Sequence, residues 1–248
     1  LKIDGGQLDF QTVNFGYNDD RQILHDLDFS VEAGKTLAIV GPSGSGKSTI
    51  GRMLFRFYDV WDGAIRIDGQ DIRRVQQALL REAIGIVPQD TVLFNDTIAY
   101  NIAYGRPEAS LEDVIEAAKL AQIHDFILDL PEGYDTRVGE RGLKLSGGER
   151  QRVSIARTIL KDPSILLFDE ATSALDTDTE SAIQASLAAV SRDRTTLVIA
   201  HRLSTVVDAD EIIVLDKGRI AERGSHQALL ERDGVYAHMW HSQQEADE

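Results

Sequence analysis

The sequence predicts an α/β fold: a core built on a mostly parallel sheet, an antiparallel β subdomain at the N-terminus, and a helical subdomain inserted into the core. Three observations carry this. Five short apolar runs, Leu37–Val40, Ile84–Val87, Ile165–Phe168, Leu197–Ala200 and Ile212–Leu215, read as strands buried on both faces, with helical patterns between them. Leu8–Phe15, Ile23–Val31 and Ala64–Asp68 instead read as antiparallel strands, with turns at Asn18-Asp19-Asp20 and Asp62-Gly63. The stretch from Asp90 to Lys161 is helix-rich and interrupts the alternation. The expected division is a core of residues 1–89 and 162–248 with a helical subdomain of residues 90–161.

Composition narrows the function classes. The 248 residues are 42% hydrophobic and 27% charged, a normal globular balance. A net charge of −15 argues against a nucleic-acid partner, because phosphate backbones are held by Lys and Arg. Cysteine is absent, so disulfides, thiolate metal sites and a Cys nucleophile are excluded. No run approaches the ~18 apolar residues of a membrane span, and the sequence as given reads as soluble. It starts at Leu1 rather than Met, which suggests a piece of a longer chain. The polar, acidic tail Gln243–Glu248 is expected to fray.

The first strand of the core, Leu37–Val40, runs into Gly41-Pro-Ser-Gly-Ser-Gly-Lys-Ser-Thr49, and a helical pattern, Ile50–Phe57, follows. This fits the phosphate-binding loop G-x-x-x-x-G-K-[ST] in its required setting. Gly41, Gly44 and Gly46 let the backbone curl so that N–H groups, with those of Ser43 and Ser45, point at phosphate oxygens. The helix N-terminus adds partial positive charge. Lys47 reaches the β- and γ-phosphates, and the Ser48 hydroxyl, beside Thr49, is a ligand for Mg²⁺. A glycine-rich surface turn would not need both the strand and the helix. The core is therefore expected to be that of a P-loop NTPase binding a nucleoside triphosphate.

Ile165–Phe168 ends in Asp169-Glu170, the Walker B arrangement. Asp169 is expected in the Mg²⁺ region and Glu170 beside the attacking water. Asp-Glu after a strand is otherwise an ordinary helix start, and the P-loop tips the balance. His201 follows the strand Leu197–Ala200, which places it at a C-terminal sheet edge as a candidate γ-phosphate contact. Gln89 ends another strand and opens the helical insert, where its amide could ligate Mg²⁺ or orient water.

Leu145-Ser-Gly-Gly-Glu-Arg-Gln-Arg152 opens a long helix, Glu149–Leu160. Ser146, Gly147 and Gly148 make a second anion site at a helix N-terminus. Two phosphate cradles in one chain suggest a composite pocket, one cradle from each of two subunits. Ser110-Leu-Glu-Asp113 opens a further helix in the insert, with Ser110 as its cap.

Taken in order, Tyr17, Gly41–Thr49, Gln89, Leu145–Arg152, Ile165–Glu170, Ser173-Ala-Leu-Asp176 and His201 closely resemble the nucleotide-binding domain of an ABC transporter, over essentially the whole chain. That resemblance implies ATP and Mg²⁺ as the bound groups, with Gly44, Gly46, Lys47, Ser48 and Thr49 holding the phosphates and the ion, Tyr17 stacking on adenine and Gln89 as the Q-loop residue. It implies that Ser146 and Gly148 meet the γ-phosphate held by the opposite subunit. Asp176 would lie in the D-loop at the dimer interface, and His201 would be the switch histidine. The implied partners are a second copy in a head-to-tail ATP sandwich and a transmembrane domain fused upstream of Leu1, at the cytoplasmic or matrix face of an inner membrane.

Thr136-Arg-Val-Gly-Glu-Arg-Gly142 is similar to a segment of ABC exporters that contacts the membrane domain, which singles out Glu140. Phe55–Asp59, Val87–Thr97 and Tyr100–Gly105 look like the half-transporters of the mitochondrial iron–sulfur and heavy-metal exporter group, whose implied cargo is glutathione-linked. Alternatives are a lipid or multidrug exporter, a soluble ABC-type ATPase, and a module that senses ATP without turnover.

Overall fold

A computed structural model describes residues 1–140, 142–169 and 177–247. The strands are β1 (Leu8–Asn18), β2 (Arg21–Val31), β3 (Thr36–Val40), β4 (Asp62–Ile67), β5 (Gln70–Asp71), β6 (Ile84–Val87), β7 (Ile165–Asp169), β8 (Thr195–Ile199), β9 (Glu211–Asp216) and β10 (Arg219–Gly224). The α-helices are α1 (Lys47–Leu54), α2 (Gln77–Ala83), α3 (Ile98–Ala103), α4 (Leu111–Leu120), α5 (His124–Leu128), α6 (Gly147–Lys161), α7 (Thr177–Ser191), α8 (His226–Glu231) and α9 (Val235–Asp247). No helix among the described residues is long and apolar enough to cross a membrane. The chain forms two compact units, one of residues 1–84, 164–169 and 193 onward, the other of residues 85–163 and 177–192.

The first unit holds two sheets. One is antiparallel, in the order β2-β1-β4-β5. In the other the strands of this unit run β10-β9-β3-β8-β7. There β3 lies parallel to both β8 and β9, β7 is parallel to β8, and β10 pairs antiparallel with β9.

The alternation of side chains along β3 explains why its sequence is apolar throughout. Leu37 and Ile39 join one core cluster, with residues of β1, β2 and α1. Ala38 and Val40 join a second, with Leu203, Val206 and Tyr236 of α9. Both faces of the strand are therefore covered, as expected of a parallel sheet.

The second unit is mainly helical. Helices α3, α4 and α6 pack pairwise, and α6 also packs on α7. Ser110 caps α4 through a capping box with Asp113, as its sequence predicts. Asn101 is fully buried and staples the preceding loop, accepting from Phe94 N (2.8 Å) and donating to Phe94 O (3.1 Å) and Thr97 O (3.0 Å). The Arg157 guanidinium donates to Asn101 O at 2.8 Å beneath the Phe94 and Tyr104 rings, and burial pulls its pKa down.

Sequence and structure differ at several boundaries. Helix α1 starts at Lys47, directly after the glycine loop, rather than at Ile50. Helix α6 starts at Gly147 and runs to Lys161. Strand β10 and helix α2 were not anticipated, and the expected fraying from Gln243 is replaced by a helix continuing to Asp247.

Candidate functional site

The glycine loop leaves the C-terminal end of β3 and turns into α1. Three glycines make the turn with positive φ: +147° at Gly41, +78° at Gly44 and +109° at Gly46. A Cβ at Gly41 would stand 2.1 Å from the Leu215 carbonyl oxygen, so the backbone there passes where no side chain fits. Gly46 is the N-cap of α1 and supplies no side-chain bond, and no acidic residue sits in the first turn. The first N–H groups of this helix thus have no capping side chain at Gly46 and no carboxylate within the first turn.

Within the loop, Lys47 is buried, and its Nζ donates to Gly41 O at 2.8 Å and Pro42 O at 3.1 Å. The ammonium ties the start of the loop to the start of the helix. Ser45 is 3% exposed, and its Oγ has no hydrogen-bond partner among the described residues. A buried hydroxyl without a partner is costly unless something else bonds to it. Ser43, Gly44 and Ser48 face the exterior. Thr49 is buried, and its hydroxyl lies 3.1 Å from the Tyr17 hydroxyl.

Strand pairing sets Asp169 and His201 on the same sheet edge as the loop. Asp169 ends β7 opposite Ile199 of β8, and Ile199 in turn pairs with Ile39 of β3. His201 lies just past β8, after Ala200, whose N–H donates to Ile39 O at 3.1 Å. Parallel strands bring all three C-terminal ends to one side, where ligands of open α/β sheets bind.

Tyr17 sits near the end of β1, 38% exposed, with its ring edge-on to Phe15 and Tyr58. Arg52 of α1 donates to its hydroxyl at 2.9 Å. Sequence reasoning missed Arg52. Its position one turn beyond Ser48, on the helix the loop opens, was the available signal.

The second unit holds the remaining candidates. Gln89 is exposed, two residues past β6. The backbone around it is clamped by Gln151 of α6, which donates from Nε2 to Pro88 O (3.1 Å) and accepts from Thr91 Oγ1 (3.0 Å). Gln151 belongs to the octapeptide read from sequence, but its role there was not foreseen.

Ser146 caps α6 in a capping box: its Oγ accepts from Glu149 N (3.3 Å), and the Glu149 carboxylate accepts from Ser146 N (2.6 Å). Two of the expected donors at this helix start are therefore satisfied internally. The first-turn amides of Gly147 and Gly148 have no carbonyl within the helix to bond. Glu140 is exposed. Glu170, Ser173 and Asp176 lie outside the described residues.

The sequence model of the ABC transporter family matches residues 24–173. The ATM1-type heavy metal exporter of Novosphingobium aromaticivorans is 65% identical over 240 residues, 97% of this chain and 40% of that protein. ATP-binding cassette sub-family B member 6 of Homo sapiens is 64% identical over 248 residues, 100% of this chain and 30% of that protein. A solved structure described as a bacterial Atm1-family ABC exporter with ATP bound superposes with a TM-score of 0.93 at 65% identity, covering 98% of this chain and 42% of that one. The chain spans less than half the length of these relatives. With a P-loop, a Walker B aspartate and a histidine on one sheet edge, and a matching family model over more than half its length, the chain belongs to the ABC transporter family.

Proposed function

We propose that this chain is the ATP-binding and hydrolysing domain of an exporter of the heavy-metal half-transporter group. The observation that carries the reading is the loop between β3 and α1, where a buried lysine is bonded to loop carbonyls and a helix start has no cap or acid of its own. A triphosphate fits this donor set: the partnerless Ser45 hydroxyl and the open space beside Gly44 are features that a bound anion would satisfy.

Gly41, Ser43, Gly44, Ser45, Gly46 and Lys47 would hold the phosphates, and Tyr17 would stack on the adenine. The Ser48 hydroxyl, the Asp169 carboxylate and the Gln89 amide suit Mg²⁺, which takes oxygen ligands. When bound, the ion neutralises charge on the β- and γ-phosphates. Glu170 would accept the proton of the attacking water, and His201 would donate to the γ-phosphate as charge develops. Ser146, Gly147 and Gly148 would complete the site on a second copy, with Asp176 at the interface between the copies. Loss of the γ-phosphate would remove the bridge and open the dimer. Glu140 would face a membrane domain, and the cargo would be a glutathione-linked or heavy-metal compound.

The test is ATP hydrolysis with Mg²⁺, measured against protein concentration. Specific activity should rise with concentration and vanish in Glu170→Gln, while ATP binding persists. Lys47→Ala should weaken ATP binding by about tenfold or more, because charge-assisted contacts to phosphate are lost. Undiminished turnover in Glu170→Gln would reject the base assignment, and unchanged ATP affinity in Lys47→Ala would reject the loop as the phosphate cradle.

A further inference from the structure

Helix α9 presents one buried stripe. Tyr236 is fully buried, and Met239 and Trp240 pack on the same core cluster, which includes Ala200 and Leu203. Gln243 is the next position at helical spacing, so it lies on this face too. Where the stripe would continue with an apolar residue, the chain has a carboxamide.

That carboxamide makes two hydrogen bonds to one short stretch of backbone. Its Oε1 accepts from Leu203 N at 2.8 Å, and its Nε2 donates to His201 O at 2.7 Å. Leu203 opens the 3₁₀ turn Leu203–Val206, which its N-cap residue, Arg202, does not cap through a side-chain bond. The first N–H of such a turn is an orphan, and here a side chain 40 residues further along the chain satisfies it. The same amide holds the carbonyl of the histidine itself.

Helix α9 is a firm base for this contact. The Glu222 carboxylate accepts from Val235 N (2.6 Å) and Tyr236 N (3.1 Å) at its first turn. The Tyr236 hydroxyl lies 2.8 Å from His226 Nδ1, and the His226 ring meets Trp240 edge-on at 4.6 Å.

We infer that helix α9 braces the turn carrying His201, and that Gln243 is a positioning residue for ATP hydrolysis that acts through His201. The inference rests on the reading of His201 as a γ-phosphate contact. The carboxamide carries its acceptor and its donor on separate atoms, so it accepts from Leu203 N and donates to His201 O at the same time. Methionine has the length and neither bond. Glutamate keeps the acceptor but, when ionised, sets a negative charge against the carbonyl.

The test uses Gln243→Met and Gln243→Glu in this chain, with and without His201→Ala. Amide exchange at Leu203, read residue by residue, should quicken about tenfold or more in Gln243→Met. The kcat for ATP should fall about tenfold while KM stays within about twofold, as expected when a group is misplaced rather than a binding contact removed. In the His201→Ala background, adding Gln243→Met should change the single-turnover rate by less than about twofold, because the two residues act as a unit. Gln243→Glu should recover activity relative to the unaltered chain as pH falls toward the carboxyl range, since the protonated acid regains a donor.

Unchanged exchange at Leu203 in Gln243→Met overturns the brace. An equal loss of rate in both backgrounds overturns positioning through His201 and leaves only a contribution to stability. Should His201→Ala hydrolyse ATP at the unaltered rate, the γ-phosphate reading of His201 fails and takes the proposal with it, whatever the exchange data say. Gln243→Glu carries the same comparison if the methionine variant does not fold.

Discussion

Two glycines of the loop separate the demands of folding from those of binding. Gly41 and Gly44 both have positive φ, but their surroundings differ: a Cβ at Gly41 meets the Leu215 carbonyl oxygen at 2.1 Å, whereas at Gly44 it meets nothing within 4 Å. Leu215 lies in β9, which is held against β3 through the Val40–Val214 pair, so the oxygen cannot retreat without opening the sheet. For Gly41→Ala, the dihedral strain costs about 1–3 kcal/mol. Overpacking against a fixed carbonyl adds about 1–3 kcal/mol. The sum is a large part of the about 5–15 kcal/mol that holds a domain together.

Gly44→Ala carries only a left-handed dihedral, about 1–2 kcal/mol. With a urea slope of about 3 kcal/mol per M, the Gly41 variant should unfold at a midpoint lower by about 1 M and the Gly44 variant by about 0.5 M. ATP binding should show the opposite order of interest. Gly44→Ala, still folded, should lose about tenfold in affinity, because its methyl group keeps the backbone from approaching phosphate. Calorimetric titration with ATP reads this directly. Equal urea midpoints for the two variants would refute the steric argument, and unaltered ATP affinity in Gly44→Ala would refute the role of this turn as a cradle.

Three further outcomes are expected. Asn101→Ala strips a buried staple from the loop before α3 and should destabilise the second unit by about 2–4 kcal/mol, seen as faster amide exchange at Phe94. Glu222→Ala removes the carboxylate at the first turn of α9 and should cost about 0.5–2 kcal/mol in thermal or urea unfolding. The Asp71 carboxyl is held below its ordinary range by the side-chain bond from Arg73. A lowered folded value means that its stabilisation is complete above the unfolded value of about 3.9 and is lost as pH falls through the folded one. Asp71→Asn should therefore unfold at lower urea at neutral pH and match the unaltered chain in strong acid; a gap that persists or widens in acid would count against this.

The elements that position the phosphate loop were legible because they are buried on both faces. Leu37–Val40 and Ile212–Leu215 must be apolar at every position, since alternate side chains enter different clusters. Strand β10 was not legible in that way. Its burial alternates between half-buried and exposed, and its only strong signal was the Lys217-Gly218 turn, with φ of +47° and +76°, that pairs Arg219 with Asp216. The two clamping glutamines were harder still. Gln151 and Gln243 act on backbone far away in sequence, and nothing local distinguishes a bonded carboxamide from a solvated one. Only the helical spacing from Tyr236 through Trp240 pointed to Gln243, and the acidic residues after it made the segment read as a loose end.

The strand order also bears on how the protein is made. β3 has its neighbours in β8 and β9: Leu37 pairs with Leu197 on one side and Glu211 on the other. A ribosome working from the N-terminus releases the glycine loop long before either flanking strand exists. At about 5–20 residues per second, the ~160 residues between them take on the order of ten to thirty seconds to synthesise. Throughout that interval an apolar strand and a phosphate loop wait without the sheet that seats them. Nascent chains of this length are thus exposed to wrong pairing, and the sheet edge that carries the glycine loop stays incomplete until synthesis has passed β9.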